Sequence, residues 1–159
     1  MRGETADSGF SRVIGTAALT LQGRRGGVRV EATRALADEG TPAYELPLLG
    51  GPPSPLVDQS LLSQRLAFPL MPSGALVGRR VETVRASLTG TLQPFAWWGR
   101  TRDTSPHWLR VVGLEATSVT GPGPIARLPG VQLLGGVAYS FDDPLRKRTR
   151  GYFSVVFTP

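Results

Sequence analysis

The sequence predicts an all-β fold, an antiparallel meander of about seven strands. Three observations predict it. Apolar residues alternate with polar or small ones over most of the chain, the period of a strand whose side chains point to opposite faces. The 20 Gly and 14 Pro among 159 residues are scattered along the chain with no three-residue period, which points to many turns. The connections are too short for the helical crossovers that parallel strands need.

In order, Val13 to Gln22 sets Val13, Gly15, Ala17, Leu19 and Leu21 against Ile14, Thr16, Ala18, Thr20 and Gln22. Gly27 to Leu36 sets Val28, Val30, Ala32 and Leu36 against Arg29, Glu31 and Thr33, and the intervening Gly23-Arg-Arg-Gly-Gly27 closes a hairpin. Residues 38–78 break the pattern with seven prolines, and Leu56 to Phe68 is expected to hold one or two helical turns. An irregular segment of that length inside a domain is usually functional. Alternation resumes over Glu82 to Leu92, with Val84, Ala86, Leu88 and Leu92 on one face. It continues over Gln93 to Gly99 and over Trp108 to Thr120. Val131 to Phe141 follows, and Tyr152 to Thr158 is last. Residues 1–9 are expected to be a disordered or truncated N-terminus, and residues 10–159 a single domain.

Composition removes several chemistries. There is no cysteine, so disulfides, thiolate metal sites and thiol catalysis are out. His107 stands alone, which excludes a His-rich metal cluster. The net charge is +6, and Lys147 is the one lysine among 18 basic residues. The arginines are spread along the chain rather than gathered into a patch, and nucleic acid is not expected as a partner. The dense run 146–150 reads as a solvated loop or as a contact to phosphate or anionic headgroups. No basic, apolar leader is present in Met1 to Gly9, and no 18-residue apolar window exists.

Alternation is shared by soluble sandwiches and membrane barrels, which differ in where the apolar face points. Three features favour the barrel. The polar faces carry Thr, Ser, Gln, Gly and Arg rather than Lys and Glu. Aromatic residues sit near strand ends, namely Trp97, Trp98, Trp108, Tyr139, Phe141, Tyr152 and Phe157, where rings would occupy membrane interfaces. Connections at 38–78, 100–107 and 142–149 fall on one side, and those at 23–26, near Gly90 and at 121–130 on the other. Outer-membrane barrels place long loops outside and short turns in the periplasm. An open seven-strand sheet would leave two unpaired edges in lipid, so further strands are expected from a longer chain or from a partner.

A hairpin set split by one very long loop and ending in an aromatic-rich strand resembles the C-terminal barrel region of the Omp85 superfamily of outer-membrane assembly factors and bacterial surface antigens. The resemblance rests on Leu48-Leu-Gly50-Gly51 in the long loop, the five strands after it, and the ending Gly136-Val-Ala-Tyr-Ser-Phe-Asp-Asp-Pro144 with Gly151-Tyr-Phe-Ser-Val-Val-Phe157. It covers about 10–159. The family's loop continues to an Arg-Gly-aromatic motif, where this chain has Pro52-Pro-Ser-Pro-Leu-Val-Asp-Gln-Ser60. Arg150-Gly-Tyr152 has those letters but falls in the last strand and is not given that role. The resemblance implies a non-enzymatic protein of a Gram-negative-type outer membrane, for protein insertion, secretion or surface-antigen display. Its partners would be the lipid bilayer and unfolded polypeptide, and no cofactor is implied. The rival is a soluble β-sandwich or small β-barrel that binds a ligand between apolar faces.

Site chemistry is sparse. Ser54, Ser60 and Ser63 with Asp58 and His107 lack the Gly-x-Ser-x-Gly elbow of a nucleophile. Asp142-Asp143 lacks the further carboxylates of a cation site. Gly135-Gly136 and Gly50-Gly51 lack a phosphate-loop context, and the latter pair is the long-loop element. Arg29, Glu31, Arg85 and Glu115 are candidate lumen charges, placed to pair in a polar interior or else to face water.

Overall fold

Strict alternation along a strand becomes two chemically different faces once strands pair in register, and here it does so across one sheet. The computed structural model describes residues 9–24, 26–51, 65–72, 74–118, 131–142 and 148–157. The strands are β1 (Arg12–Gly23), β2 (Gly26–Ala37), β3 (Leu48–Leu49), β4 (Arg65–Leu66), β5 (Leu76–Val77), β6 (Arg80–Thr89), β7 (Leu92–Thr101), β8 (Ser105–Ser118), β9 (Val131–Ser140) and β10 (Thr149–Phe157). Among the described residues, β1-β2-β6-β7-β8-β9-β10 form a seven-stranded sheet, and β4-β3-β5 form a small one. Every neighbour pair in the large sheet is antiparallel. The sheet is open: β1 and β10 are its two edges.

All seven predicted strands are present, most of them lengthened by a residue or two. Leu92 opens β7 rather than closing the strand before it, because Gly90 takes a positive φ of 154° and turns the chain there. A helical turn also forms where none was expected. A single 3-10 turn spans Ala43–Glu45, bounded by Pro42 and by Leu46, which the following Pro47 holds extended. Of the stretch 56–68, residues 56–64 lie outside the described residues, and Arg65–Leu66 is strand.

The connections sort by end. The segment between β2 and β6, the turn at 102–104 and the connection after β9 share the loop end. The hairpins after β1 and β6 share the turn end. One hydrogen-bonded row runs Leu19, Val30, Ala86, Ala96, Val112, Tyr139. It begins mid-strand in β1 and reaches the penultimate residue of β9. That stagger is what a curling, tilted sheet produces.

The two faces bury opposite things. On one, Val13, Leu19, Leu21, Val28, Val30, Leu88, Leu92, Val112 and Val137 are exposed, Leu19 and Leu21 to 60% and 63%. On the other lie the buried Thr83, Ser87, Thr101, Glu115 and Ser140 with Trp97, Val111 and Ala138. The core sits on this second face at the loop end. There the β2–β6 connection folds back, so that Leu49, Leu66, Phe68 and Met71 cover Ala35, Val81, Trp97 and Leu109.

Candidate functional site

The site is the second, inner face: a plug at its loop end and a charged cluster beside it. The plug is shaped by Gly50 and Gly51, which hold φ values of 134° and 90° that side-chain-bearing residues rarely adopt. A Cβ on Gly50 would collide with the Pro72 carbonyl oxygen. Tight backbone bonds follow from this approach. Gly50 N–H donates to Leu66 O at 3.0 Å, Gly51 N–H to Met71 O at 3.0 Å, and Phe68 N–H to Gly51 O at 3.0 Å. The Gly-Gly element thus turns Leu49 into the core and ties it to the segment carrying Phe68. The Phe68 ring packs edge-on against Trp97, centroids 6.3 Å apart. It lies where β7 carries Gly99, whose Cβ would come within 2.7 Å of that ring.

Beside the plug, Arg85 of β6 donates to Glu115 Oε1 of β8 at 2.7 Å, and the Tyr152 hydroxyl of β10 donates to Glu115 Oε2 at 2.7 Å. Glu115 is 2% exposed, and each of its carboxylate oxygens accepts one of these hydrogen bonds. The Arg85 guanidinium lies over the Trp97 ring at 4.9 Å and near Phe95 at 5.4 Å. Arg85 Nε and Trp97 Nε1 are buried without an acceptor among the described residues. Alternation places positions 85, 95, 97 and 115 inward, and register adds Tyr152, which is opposite Gly136 and through it in line with Glu115.

Two cross-strand pairs pave the same face. Phe95 is opposite Gly113 and Tyr152 is opposite Gly136. A Cβ on Gly113 would meet the Phe95 ring at 2.6 Å, and one on Gly136 the Tyr152 ring at 2.6 Å. Each ring lies across its glycine, the arrangement by which an aromatic covers a strand glycine.

The four candidate lumen charges all lie on this face, in two pairs. Arg29 contacts Glu31 at 2.8 Å, near solvent, and Glu31 is directly opposite Arg85. The predicted aromatics divide. Trp98, Trp108, Tyr139 and Phe141 occupy the outer face near the loop end, with the Tyr139 and Phe141 rings 5.1 Å apart. Trp97 and Tyr152 instead point inward, because Trp97 is opposite Arg85 and Tyr152 lies in the row of Glu115 and Gly136. The side chain of Phe157 lies outside the described residues, as do Ser54, Asp58, Ser60, Ser63, Asp143 and residues 146–147. Arg148 and Arg150 are exposed. Asp142 is engaged by Arg110, whose backbone N–H and side chain donate to it at 2.6 and 2.9 Å. His107 is exposed in β8. No group of three or more His, Asp or Glu side chains is placed to hold a metal among the described residues.

Sequence reasoning did not single out Leu49, Leu66, Phe68 and Met71 as a plug. Their signal was an apolar content unusual for a proline-rich connection. Comparison with family models, with curated proteins and with solved structures returns no match.

Proposed function

We propose that this chain supplies seven strands of an outer-membrane-type β-barrel, with its outer face against lipid and its inner face lining a plugged polar lumen. One observation carries the reading. Large aliphatic side chains from Val13 to Val137 stand exposed across the outer face, while a glutamate, threonines and serines are buried on the other. A water-soluble sheet has the reverse arrangement. The strands, 9 to 14 residues long, all reach the roughly 9–11 residues that a tilted strand needs to cross a bilayer. A soluble sandwich or small ligand-binding barrel would need Leu19, Val30 and Val137 in a dry interior.

The open edges β1 and β10 must find strands in lipid, from a longer chain or from a partner. β1 and β10 run in the same direction, because seven antiparallel strands separate them by an even number of reversals. An all-antiparallel closure therefore takes an odd number of added strands. The role that fits, and that the Omp85 resemblance suggests, is non-enzymatic: insertion, secretion or passage of polypeptide along the Thr-, Arg- and Glu-lined half of the lumen.

The test is the environment in which the full chain folds. Folding in detergent or vesicles with aggregation in plain buffer is expected. A monomeric, cooperatively folded chain in detergent-free buffer overturns the proposal. A photocrosslinker at Thr20, inside the unplugged half, tests the role by capturing a polypeptide in transit.

A further inference from the structure

We propose that the outer face carries, at its loop end, a collar of arginines that binds the phosphates of lipid headgroups; the inference rests on the membrane reading above. Arg34, Glu82 and Arg100 stand side by side on β2, β6 and β7, and Arg80 and Arg102 adjoin them toward the loops. Glu82 takes Arg34 at 3.3 Å, Arg100 at 2.5 Å and Arg102 at 3.3 Å. Arg110, one row nearer the apolar face, contacts Asp142 at 2.9 Å. Four arginines thus meet two carboxylates, and with Arg80 beside them the five guanidiniums outnumber these two carboxylates by three among the described residues. The side chains of Arg34, Arg102 and Arg110 keep 55%, 45% and 57% of their surface open. Arg80 is exposed, and Arg102 N–H donates to its carbonyl at 2.9 Å, so two like charges are neighbours where β6 begins and the chain leaves β7. Such neighbours repel unless an anion lies between them.

The position of the collar selects the anion. It begins where the aliphatic face ends, level with Trp98 and Trp108, and Arg100 stacks on the Trp108 ring at 4.3 Å. In a bilayer that level belongs to the headgroups. A guanidinium fork matches the oxygens of a phosphate in two-point fashion, which an ammonium cannot do. The ligand is therefore a phosphate held at the membrane surface.

The experiment uses the full chain with Trp97 and Trp98 changed to Phe, so that Trp108 reports alone. It is reconstituted in phosphatidylcholine vesicles containing brominated phosphatidylglycerol or, in parallel, brominated phosphatidylcholine. The expected result is an excess of brominated phosphatidylglycerol at Trp108, about fivefold over random mixing, the scale for one basic residue at an anionic surface. It should fall to random mixing in Arg80→Gln/Arg102→Gln, whose exposed positions leave the Glu82 pairs with Arg34 and Arg100 in place. Random mixing in the parent chain overturns the collar while leaving the barrel standing. Absence of quenching by either lipid overturns both. If millimolar inorganic phosphate displaces the brominated lipid, the site belongs to a soluble phosphate, and the headgroup assignment is wrong.

Discussion

Arg85 and Glu115 meet at 2.7 Å although a whole strand, β7, lies between the strands that carry them. The pair bridges over Phe95 and Trp97 and is extended by Tyr152 to the edge strand, so one buried carboxylate ties β6, β8 and β10 together. Breaking a buried pair strands a charge. Glu115→Leu is expected to destabilise the folded state by about 3 kcal/mol or more, and Arg85→Met/Glu115→Leu by much less than the sum of the two single changes. Denaturant unfolding in detergent micelles of the four members of that cycle checks the coupling. Additive effects would mean that the contact contributes nothing of its own.

Tyr152→Phe removes a single oxygen and leaves Glu115 Oε2 buried without its donor. The expected loss is about 1–3 kcal/mol, the cost of an unsatisfied buried acceptor. Gly136→Ala tests the other side of the same ring. It forces the ring from its seat at about 1–3 kcal/mol. Adding Tyr152→Ser should relieve that overpacking, and equal costs in both backgrounds would contradict the packing described.

The plug is expected to release as a unit. Gly50→Ala strains a φ of 134° and drives a methyl into the Pro72 carbonyl, and Phe68→Ala empties the space over Gly99. Both should raise the rate of proteolysis within 38–79 while leaving the seven-stranded sheet protected, as read by mass spectrometry of the fragments. Unchanged cleavage in both variants would show that the segment is held by other contacts.

Acid should loosen the start of β1. Asp38 accepts from the Thr41 hydroxyl at 2.7 Å, and from the Ser11 amide and hydroxyl at 2.6 and 2.9 Å. These donors, Thr41 foremost, hold its carboxyl below the ordinary aspartate value of 3.8. A lowered folded-state value stabilises above the ordinary one, and that contribution disappears as pH falls through the lowered value. Hydrogen exchange at the Ser11 amide should therefore accelerate, relative to neighbouring amides, only below about pH 4. In Asp38→Asn that amide should lack the acid-dependent step.

The meander was legible because period two is a local property: each strand's own residues announce its two faces. Parity also placed Arg29, Glu31, Arg85 and Glu115 on one face. What alternation cannot reveal is which residues meet across strands, so Glu115 with Tyr152 was invisible, and Trp97 and Tyr152 were grouped with outward rings. The plug was hidden for the same reason. Leu49 and Phe68 reach the core only through the Gly50-Gly51 turn and through Gly99, positions far apart in sequence that only coordinates bring together. The Glu82 cluster likewise needs β2, β6 and β7 in register before Arg34, Arg100 and Arg102 gather around one carboxylate.

Charged probes on the two faces should behave oppositely. Val30→Arg places a cation mid-strand on the outer face and is expected to cost about 2–4 kcal/mol of folding into vesicles, the penalty at a bilayer midplane. Thr20→Arg, on the inner face, should cost far less. Folding yields in vesicles of defined thickness compare the two, and equal penalties would contradict the assignment of faces.

The most direct test exploits the absence of native cysteine. Nitroxides attached at Leu19→Cys, Thr20→Cys, Val30→Cys and Glu31→Cys in vesicles report collisions with oxygen, which concentrates in lipid, and with a water-soluble nickel chelate. Oxygen should dominate at 19 and 30, and the chelate at 20 and 31. Chelate access at 19 and 30, or all four labels immobilised in a dry interior, would contradict the lipid-facing assignment of the outer face.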